Sequence, residues 1–127
     1  MLVVETYVAP SAIHGMGVFA AESLKAGTRV WVFNAVIDQE ITPAELEMLP
    51  EVARRIALSR GYVSSDGRTI LSRDNGVFLN HSDEPNTQVD EEGSAAARDI
   101  AMGEELTEDY RRFRPGACRA FLGTRSA

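Results

Sequence analysis

Cysteine is nearly absent from this sequence, since Cys118 is the one cysteine among 127 residues. A single cysteine excludes an internal disulfide and any zinc site that needs several cysteines from one chain. No apolar run approaches the roughly 18 residues of a membrane-spanning helix. Residues 1–10 lack the charged and then apolar pattern of a secretory signal. At this length we expect one cytoplasmic domain, with no bound metal and no membrane contact.

Basic residues are also scarce, because 13 Lys and Arg stand against 19 Asp and Glu, giving a net charge of −6. A nucleic-acid-binding protein needs a basic face to neutralise phosphates, so we expect no direct nucleic-acid partner. Residues 83–109 contain ten acids and one base, Arg98, whereas five arginines and no acid follow from Tyr110 onward. Two interpretations stay open: a solvated acidic face with a basic tail, or an acidic rim that attracts a cationic substrate.

The hydrophobic pattern predicts a mainly β domain of many short strands with one helical insertion. Runs of β-branched and aromatic residues between turn residues indicate the strands. The predicted strands are 2–8, 18–21, 28–33, 70–71, 77–79, 87–89, 95–100 and 105–107. Residues 65–68, Ser-Asp-Gly-Arg, predict a hairpin turn.

The helical insertion has clear start and stop signals. Thr42, Pro43 and Glu45 match an N-cap, a first-turn proline and a capping-box acid. Pro50 lacks a backbone donor and clashes with the preceding turn, so it should interrupt the helix. We therefore predict two short helices, the second ended by Gly61.

Two glycines stand close together in Gly15-Met16-Gly17. Glycines at this spacing let the backbone approach a ligand or adopt positive φ. On these residues alone, a plain tight turn is the favoured interpretation. The segment is not a dinucleotide fingerprint, because no third glycine and no long helix follow.

Two further segments, 78–86 and 98–110, are dense in polar side chains. The first is interpreted on residue chemistry as a polar turn that bonds local backbone. A zinc site at His81 is disfavoured because His14 is the other histidine and the spacing is wrong. A nucleophilic Ser82 is disfavoured because no nucleophile elbow is present. The second segment predicts a strand, a turn and a strand with acidic side chains.

Taken together and in this order, the three segments resemble the SET-domain protein lysine methyltransferases. Residues 14–20, HGMGVFA, are similar to the family's opening GxG segment. Residues 78–86, FLNHSDEPN, are similar to its NHSCxPN segment, and residues 98–110 to its GEELTxDY segment. The resemblance covers the chain from about residue 10 to residue 110. It indicates a minimal, bacterial-type SET protein, one domain over 1–127, without pre-SET or cysteine-rich post-SET segments.

The resemblance implies a mainly β fold, the β-clip of SET domains, with several small curved sheets. It places a short, variable helical insert at about 42–60 and a C-terminal tail at 111–127. It also implies a knot-like crossing, in which the C-terminal motif threads through a loop of earlier chain beside the Asn-His-Ser segment. Such threading departs from the usual rule for protein chains.

The resemblance implies an enzyme that transfers a methyl group from S-adenosylmethionine to a lysine of a basic protein or peptide. Tyr110 matches the catalytic tyrosine at the methyl-transfer centre. Asn80 would contact the donor by its side chain and His81 largely by its backbone. The residues assigned to the donor are Gly15, Met16, Gly17, Asn80, His81, Tyr110 and Phe113.

Such a reaction needs a neutral amine, although free lysine has a pKa of about 10.4. A narrow, partly dry channel lowers that pKa and shields the amine. Transfer is an in-line displacement, so much of the catalysis would be positioning.

The chain departs from the family at two places. Asp83 replaces the cysteine that often helps bind zinc, so the resemblance implies no metal. Without a cysteine-rich tail, the site must be covered by the tail itself, by the substrate or by a partner subunit, which keeps a homodimer as a hypothesis. Phe113 and Phe121 are candidates to pack on the adenine, and packing within the tail or core is an equal alternative.

Glu108 is the second departure, because the family usually has Tyr or Phe two residues before the catalytic tyrosine. A carboxylate there either holds an ammonium charged and opposes methylation, favours another substrate, or points elsewhere. Tyr62 is a candidate aromatic of the substrate channel, with core packing as the alternative. These departures support a second hypothesis, a non-catalytic SET-fold module that binds donor, basic peptide or partner without turnover. The methylated protein and the number of methyl groups stay open.

Overall fold

The fold is that of a computed structural model, which describes residues 1–64 and 66–109. Short strands dominate this part of the chain. The strands are β1 (Thr6–Pro10), β2 (Met16–Ala20), β3 (Arg29–Val32), β4 (Gln39–Ile41), β5 (Tyr62–Val63), β6 (Thr69–Leu71), β7 (Asn80–His81), β8 (Thr87–Asp90), β9 (Gly93–Ala96) and β10 (Glu105–Glu108). The helices are α1 (Pro43–Met48), α2 (Glu51–Arg60) and a 3-10 turn at Asn75–Phe78.

The last described strand lies in the middle of the largest sheet. The strand order is β1-β2-β10-β7, so β10 lies between two strands that come much earlier in the chain. It pairs antiparallel with β2, Leu106 opposite Val18, and parallel with β7, Thr107 opposite Asn80. This insertion of the C-terminal motif between earlier strands is the crossing that the sequence resemblance predicted.

Two smaller sheets flank the largest one. One has the order β3-β9-β8 and the other the order β4-β6-β5. Residues 1–3 extend the first of them beyond β3, because the Val3 amide donates to the Val30 carbonyl and Leu2 forms an isolated bridge with Trp31. The mainly β prediction, with several small sheets, is confirmed.

The helical insertion follows its sequence signals. The Thr42 hydroxyl accepts the Glu45 amide and the Glu45 carboxylate accepts the Thr42 amide, which forms the predicted capping box. α2 begins directly after Pro50 and ends at Gly61, whose amide donates to the Ala57 carbonyl at 2.8 Å. Neither helix in residues 1–64 or 66–109 is long and apolar enough to cross a bilayer.

Three strand predictions are wrong in extent or type. The first strand covers Thr6–Pro10 rather than 2–8, and its proline is tolerated because β1 is an edge strand. Residues 77–79 do not form a strand, because the Asp74 side chain accepts the Gly76 amide and starts a 3-10 turn. The strand predicted at 95–100 ends at Ala96.

A small apolar core joins the sheets. It contains Val18, Ala20, Leu24, Val30, Leu79, Ala96, Ile100 and Leu106. Leu106 of β10 and Val18 of β2 are fully buried in it. Burial of such a side chain stabilises the fold by about 1.5–3 kcal/mol, so the core fixes β10 in the position that orders the polar residues around it.

Candidate functional site

The glycine segment forms a tight loop that is fitted against β10. Gly15 has φ of 48°, a left-handed conformation that favours glycine, and nothing lies where its Cβ would be. Glycine is required at position 17 for a different reason, because a Cβ there would collide with the Glu105 carboxylate. The Ser11 hydroxyl donates to that carboxylate, with its oxygen 2.8 and 2.9 Å from the two carboxylate oxygens. The second glycine therefore allows the loop and β10 to approach each other.

Asn80 joins the same loop to β7. Its side chain is fully buried, and its Nδ2 donates to the His14 and Met16 carbonyls, each at 3.1 Å. Nδ2 also lies 3.0 Å from the Glu105 carboxylate. Within the described ranges, Oδ1 of Asn80 is buried and has no hydrogen-bond partner. The amide thus fixes the loop and leaves one buried acceptor beside it.

His81 follows Asn80 and lies between two carboxylates. Its Nε2 is 2.9 Å from the exposed Asp83, and its Nδ1 is 3.8 Å from the buried Asp109. The next amide, of Ser82, donates to the Glu108 carbonyl at 2.9 Å and continues the parallel pairing with β10. The imidazole is therefore held at the point where the chain leaves β10. Asp109 is a contact that the sequence interpretation did not assign.

Asn86 fastens β10 from the other side. Its Nδ2 donates to the Glu105 carbonyl at 2.7 Å and to the Glu104 carboxylate at 3.1 Å. Its Oδ1 accepts the Thr107 amide at 2.9 Å. Buried polar groups need such partners, so Asn86 holds the strand in register against β8.

The described strand β10 brings the three motif segments together. It contacts the glycine segment through β2 and the Asn-His pair through β7. Tyr110 and Phe113, which sequence analysis assigned to catalysis and donor binding, lie outside the described residues, as do Cys118 and Phe121.

Glu108 and Tyr62 line one small cavity of about 30 Å³, which has room for one or two groups the size of water. The Trp31 ring meets the Tyr62 ring edge to face, with centroids 5.6 Å apart. The indole Nε1 of Trp31 donates to the Ser72 hydroxyl at 3.2 Å. The cavity is lined by Trp31, Arg60, Gly61, Tyr62, Ile70, Ser72, Gly76, Leu79 and Glu108. The structure therefore brings together the two residues that were predicted to line a channel.

Two side chains that line this cavity, Glu108 and Tyr62, have raised pKa values. Only 7% of Glu108 is exposed, and loss of water raises the pKa of its carboxyl to about 7. The nearby Ser94 hydroxyl and the Met1 α-amino group lower this pKa, but by less than burial raises it. Among the described residues, Ser94 Oγ is buried and has no hydrogen-bond partner. Burial, and then the charge of Glu108, raise the pKa of the Tyr62 hydroxyl well above its ordinary value. The cavity thus disfavours negative charge at neutral pH.

A larger open groove of about 690 Å³ adjoins the cavity and shares Trp31 and Tyr62 with it. One side is the edge strand β5 and the other is β8 with the turn that follows it. In that turn Asp90 and Glu92 form ion pairs with Arg29, at 2.8 and 3.3 Å. The groove is therefore partly acidic and partly aromatic.

The acidic stretch at 83–109 is not one continuous rim. Asp99 accepts the Ala26 amide, Glu104 pairs with Arg98, and Glu105 bonds inward. Most of these carboxylates have local structural partners, so the strong net charge of the segment overstates its exposed charge.

Several site residues escaped sequence analysis. Trp31 was predicted to lie in a strand and Ser94 carried no recognisable signal. Asn86 ends the recognised segment 78–86, but it was assigned no role of its own. Glu105 lay within a recognised motif, but its contact with Gly17 depends on two segments that are far apart in sequence. Residues 1–64 and 66–109 contain no group of three or more His, Cys, Asp or Glu side chains arranged to hold a metal ion.

Comparisons with known proteins agree with this geometry. The family model described as "SET domain" matches residues 15–111. A Plasmodium falciparum protein provisionally assigned as a histone methyltransferase has a similar structure, with TM-score 0.62 and 21% identity over 84% of this chain and 93% of its own. A humanized mutant of the Chaetomium thermophilum Polycomb Repressive Complex 2, bound to the inhibitor GSK126, matches with TM-score 0.66 and 21% identity. That match covers 91% of this chain but only 16% of the other. Among curated protein sequences, none matches this chain at a significant level.

Proposed function

This chain belongs to the SET-domain family, and from that premise we propose that it transfers a methyl group from S-adenosylmethionine to a lysine side chain of a basic protein. The observation that carries the proposal is the position of β10 between β2 and β7. That position gathers the glycine loop, the Asn-His pair and the segment leading to Tyr110 at one place. Three motifs that are separate in sequence therefore form one site.

The residues around the glycine loop fit a methyl donor with an amino-acid end. No described atom lies within 4 Å of the place where a Cβ of Gly15 would be. The buried Oδ1 of Asn80 is an acceptor without a donor among the described residues. An ammonium group would supply that N–H. We propose that the backbone at Gly15, Met16 and Gly17, with Asn80 and His81, holds S-adenosylmethionine. When bound, its sulfonium supplies an electrophilic methyl group.

The acceptor side of the site would be the cavity beneath the groove. Trp31 and Tyr62 form aromatic walls of this cavity, and Arg60, Ser72 and Glu108 add polar groups. A lysine side chain reaching inward from the groove would lose its hydration there, which lowers the pKa of its amine. From the sequence resemblance, we propose that the Tyr110 hydroxyl orients the amine at the methyl-transfer centre and that Phe113 contacts the donor.

A lysate assay tests this function. The protein is incubated with donor labelled on its methyl group, together with a cell lysate and lysine-containing basic peptides, and labelled proteins are identified by mass spectrometry. We expect label on lysine, and we expect Tyr110→Phe to lose it while Glu47→Gln, an exposed position on α1, retains it. Labelling that Tyr110→Phe leaves unchanged would contradict the assigned mechanism.

The second candidate function is a module that binds donor or a basic peptide without turnover. The buried carboxylate of Glu108 favours it, because a carboxylate that only holds an ammonium charged would oppose methylation. Calorimetry that shows donor binding, combined with no transfer to any lysate protein, would favour this candidate. Appearance of activity in Glu108→Tyr would then identify the residue responsible.

A homodimer that completes the channel stays a separate proposal. Sedimentation at several concentrations tests it, and monomer alone at the highest concentration would remove it. Location in the cytoplasm also stays an expectation from the sequence.

A further inference from the structure

We propose that Glu108 is a general base, which takes a proton from the acceptor lysine before methyl transfer. The inference rests on the proposed function, and it assigns to this chain a catalytic group in the acceptor cavity. It also removes the conflict between a buried carboxylate and methylation, because the carboxylate accepts the proton that would otherwise block the reaction.

The geometry of Glu108 differs from that of the carboxylates near it. Glu105, three residues earlier on the same strand, accepts from Ser11 and Asn80. Glu104 accepts from Arg98 and Asn86. Glu108 lines the cavity, is 93% shielded from solvent, and has no ion pair with a described residue. The groups that stabilise its charged form are the Ser94 hydroxyl and the Met1 α-amino group, and the effect of burial outweighs both.

No cation of the described elements forms an ion pair with this carboxylate, although the Met1 α-amino group attracts it from a greater distance. The titratable or charged groups on the elements packed around it are Met1, Asp38, Arg60, Tyr62, Asp74 and His81. The Met1 α-amino group lies 2.9 Å from Asp38. Arg60 lines the cavity without forming an ion pair with Glu108. An incoming ammonium would be the cation that meets the carboxylate.

Burial in the cavity favours a neutral pair over an ion pair. In water a lysine ammonium gives no proton to a carboxylate, because their pKa values differ by about 6. Burial lowers the pKa of an amine and raises that of a carboxyl, so the two values approach each other. The pKa of Glu108 is already about 7 without substrate. The gap that proton transfer must cross is therefore much smaller here than in water.

The step is a simple proton transfer. One N–H bond of the ammonium breaks and leaves its electron pair on nitrogen, while an O–H bond forms on a Glu108 carboxyl oxygen. That pair would form the bond to the methyl carbon while the bond from this carbon to the donor sulfur breaks, and the sulfur would keep the electrons of the broken bond. The methylated nitrogen carries a positive charge again, and the proton on Glu108 passes to solvent through the adjoining groove when the product leaves.

The first test is a titration that does not depend on activity. The protein is labelled with carbon-13 at glutamate Cδ, and its carboxyl signals are followed by NMR between about pH 3 and pH 9, a range that spans ordinary and raised carboxyl pKa values. The signal missing in Glu108→Gln identifies Glu108. We expect its midpoint near 7. A midpoint below 5 would overturn the inference, because such a carboxylate would be too weak a base.

The second test is the pH profile of methyl transfer to a synthetic peptide with one lysine between arginines. Only about one lysine in 250 is neutral in water near pH 8. We expect Glu108→Gln to be slower by about 10²-fold near pH 8, with the loss shrinking toward pH 10 as the amine deprotonates by itself. Glu47→Gln is the matched control and should keep the wild-type profile.

The outcomes separate this inference from the proposed function. Transfer by the wild type, with an equal loss in Glu108→Gln at every pH, means that Glu108 is only structural and overturns the inference alone. No transfer by the wild type to the peptide or to any lysate protein overturns the proposed function, and the inference with it. A pH-dependent loss, with an NMR midpoint near 7, supports both.

Discussion

The buried carboxylate of Glu108 should make the folded protein less stable as the pH rises. Its pKa is about 7 in the folded chain against 4.5 for an ordinary glutamate, so the folded state binds the proton more tightly than the unfolded state. The protonated carboxyl is favourable below pH 4.5, and that advantage is lost as the pH rises toward 7. Each tenfold difference in proton affinity corresponds to about 1.4 kcal/mol, so the full loss is about 3 kcal/mol.

Glu108→Gln removes this dependence, because glutamine is similar in size and carries no charge at any pH. We expect the variant to gain about 3 kcal/mol relative to the wild type between about pH 4.5 and pH 8. The buried amide carries its own hydrogen-bonding cost, but that cost is the same at both pH values. The quantity to measure is therefore how the difference in stability between Glu108→Gln and the wild type changes between the two pH values.

Urea unfolding followed by circular dichroism at the two pH values gives this quantity. The dependence of the free energy of unfolding on urea should be equal for the two proteins, so that the midpoints can be compared. Glu47→Gln is the control, since water solvates an exposed carboxylate in both folded and unfolded chains. A difference between wild type and Glu108→Gln that does not change with pH would refute the reasoning.

Three further predictions concern the loop and β10. Gly17→Ala should destabilise the fold by about 1–3 kcal/mol, because its Cβ displaces the Glu105 carboxylate from its contacts with Ser11 and Asn80. Gly15→Ala should cost about 1 kcal/mol for its positive φ, and thermal unfolding compares the two variants. Asn86→Ala leaves buried partners on β10 unpaired and should cost about 2–4 kcal/mol, with faster hydrogen exchange in that strand. Arg98 holds the pKa of Glu104 down to about 2, so the pair stabilises the fold above pH 4.5 and loses this effect as the pH falls toward 2. In Glu104→Gln, the free energy of unfolding should therefore depend less on pH over that range.

Local signals in the sequence predicted the local structure well. The capping box at Thr42 and the break at Pro50 depend on neighbouring residues, and both are present in the structure. The strand prediction at 77–79 was wrong for a reason that hydrophobic periodicity cannot show. There an aspartate side chain at Asp74 competes for the backbone and starts a 3-10 turn.

Local sequence patterns alone did not predict the contacts between segments that are distant in sequence. Resemblance to a family predicted that the C-terminal motif crosses beside Asn80, and the pairing of β10 with β7 confirms it. Tyr62 and Glu108 line one cavity, and their role in a substrate channel stays a prediction. The contact between Gly17 and Glu105 could not be predicted, because residue spacing gives no distance between two separate strands. The roles of Tyr110 and Phe113, beyond the described residues, stay predictions.

The position of β10 also constrains how the protein is made. A strand that completes its sheet from residues 105–108 must wait until nearly all of the described chain has been synthesised. Until then β2 and β7 have open edges, which are sites for pairing with other chains. Pairing over such long sequence separations is also slow, since the loop must close before any contact forms. We therefore expect slow folding and aggregation of chains that end before β10, so the same crossing that assembles the site also sets the time at which it can exist.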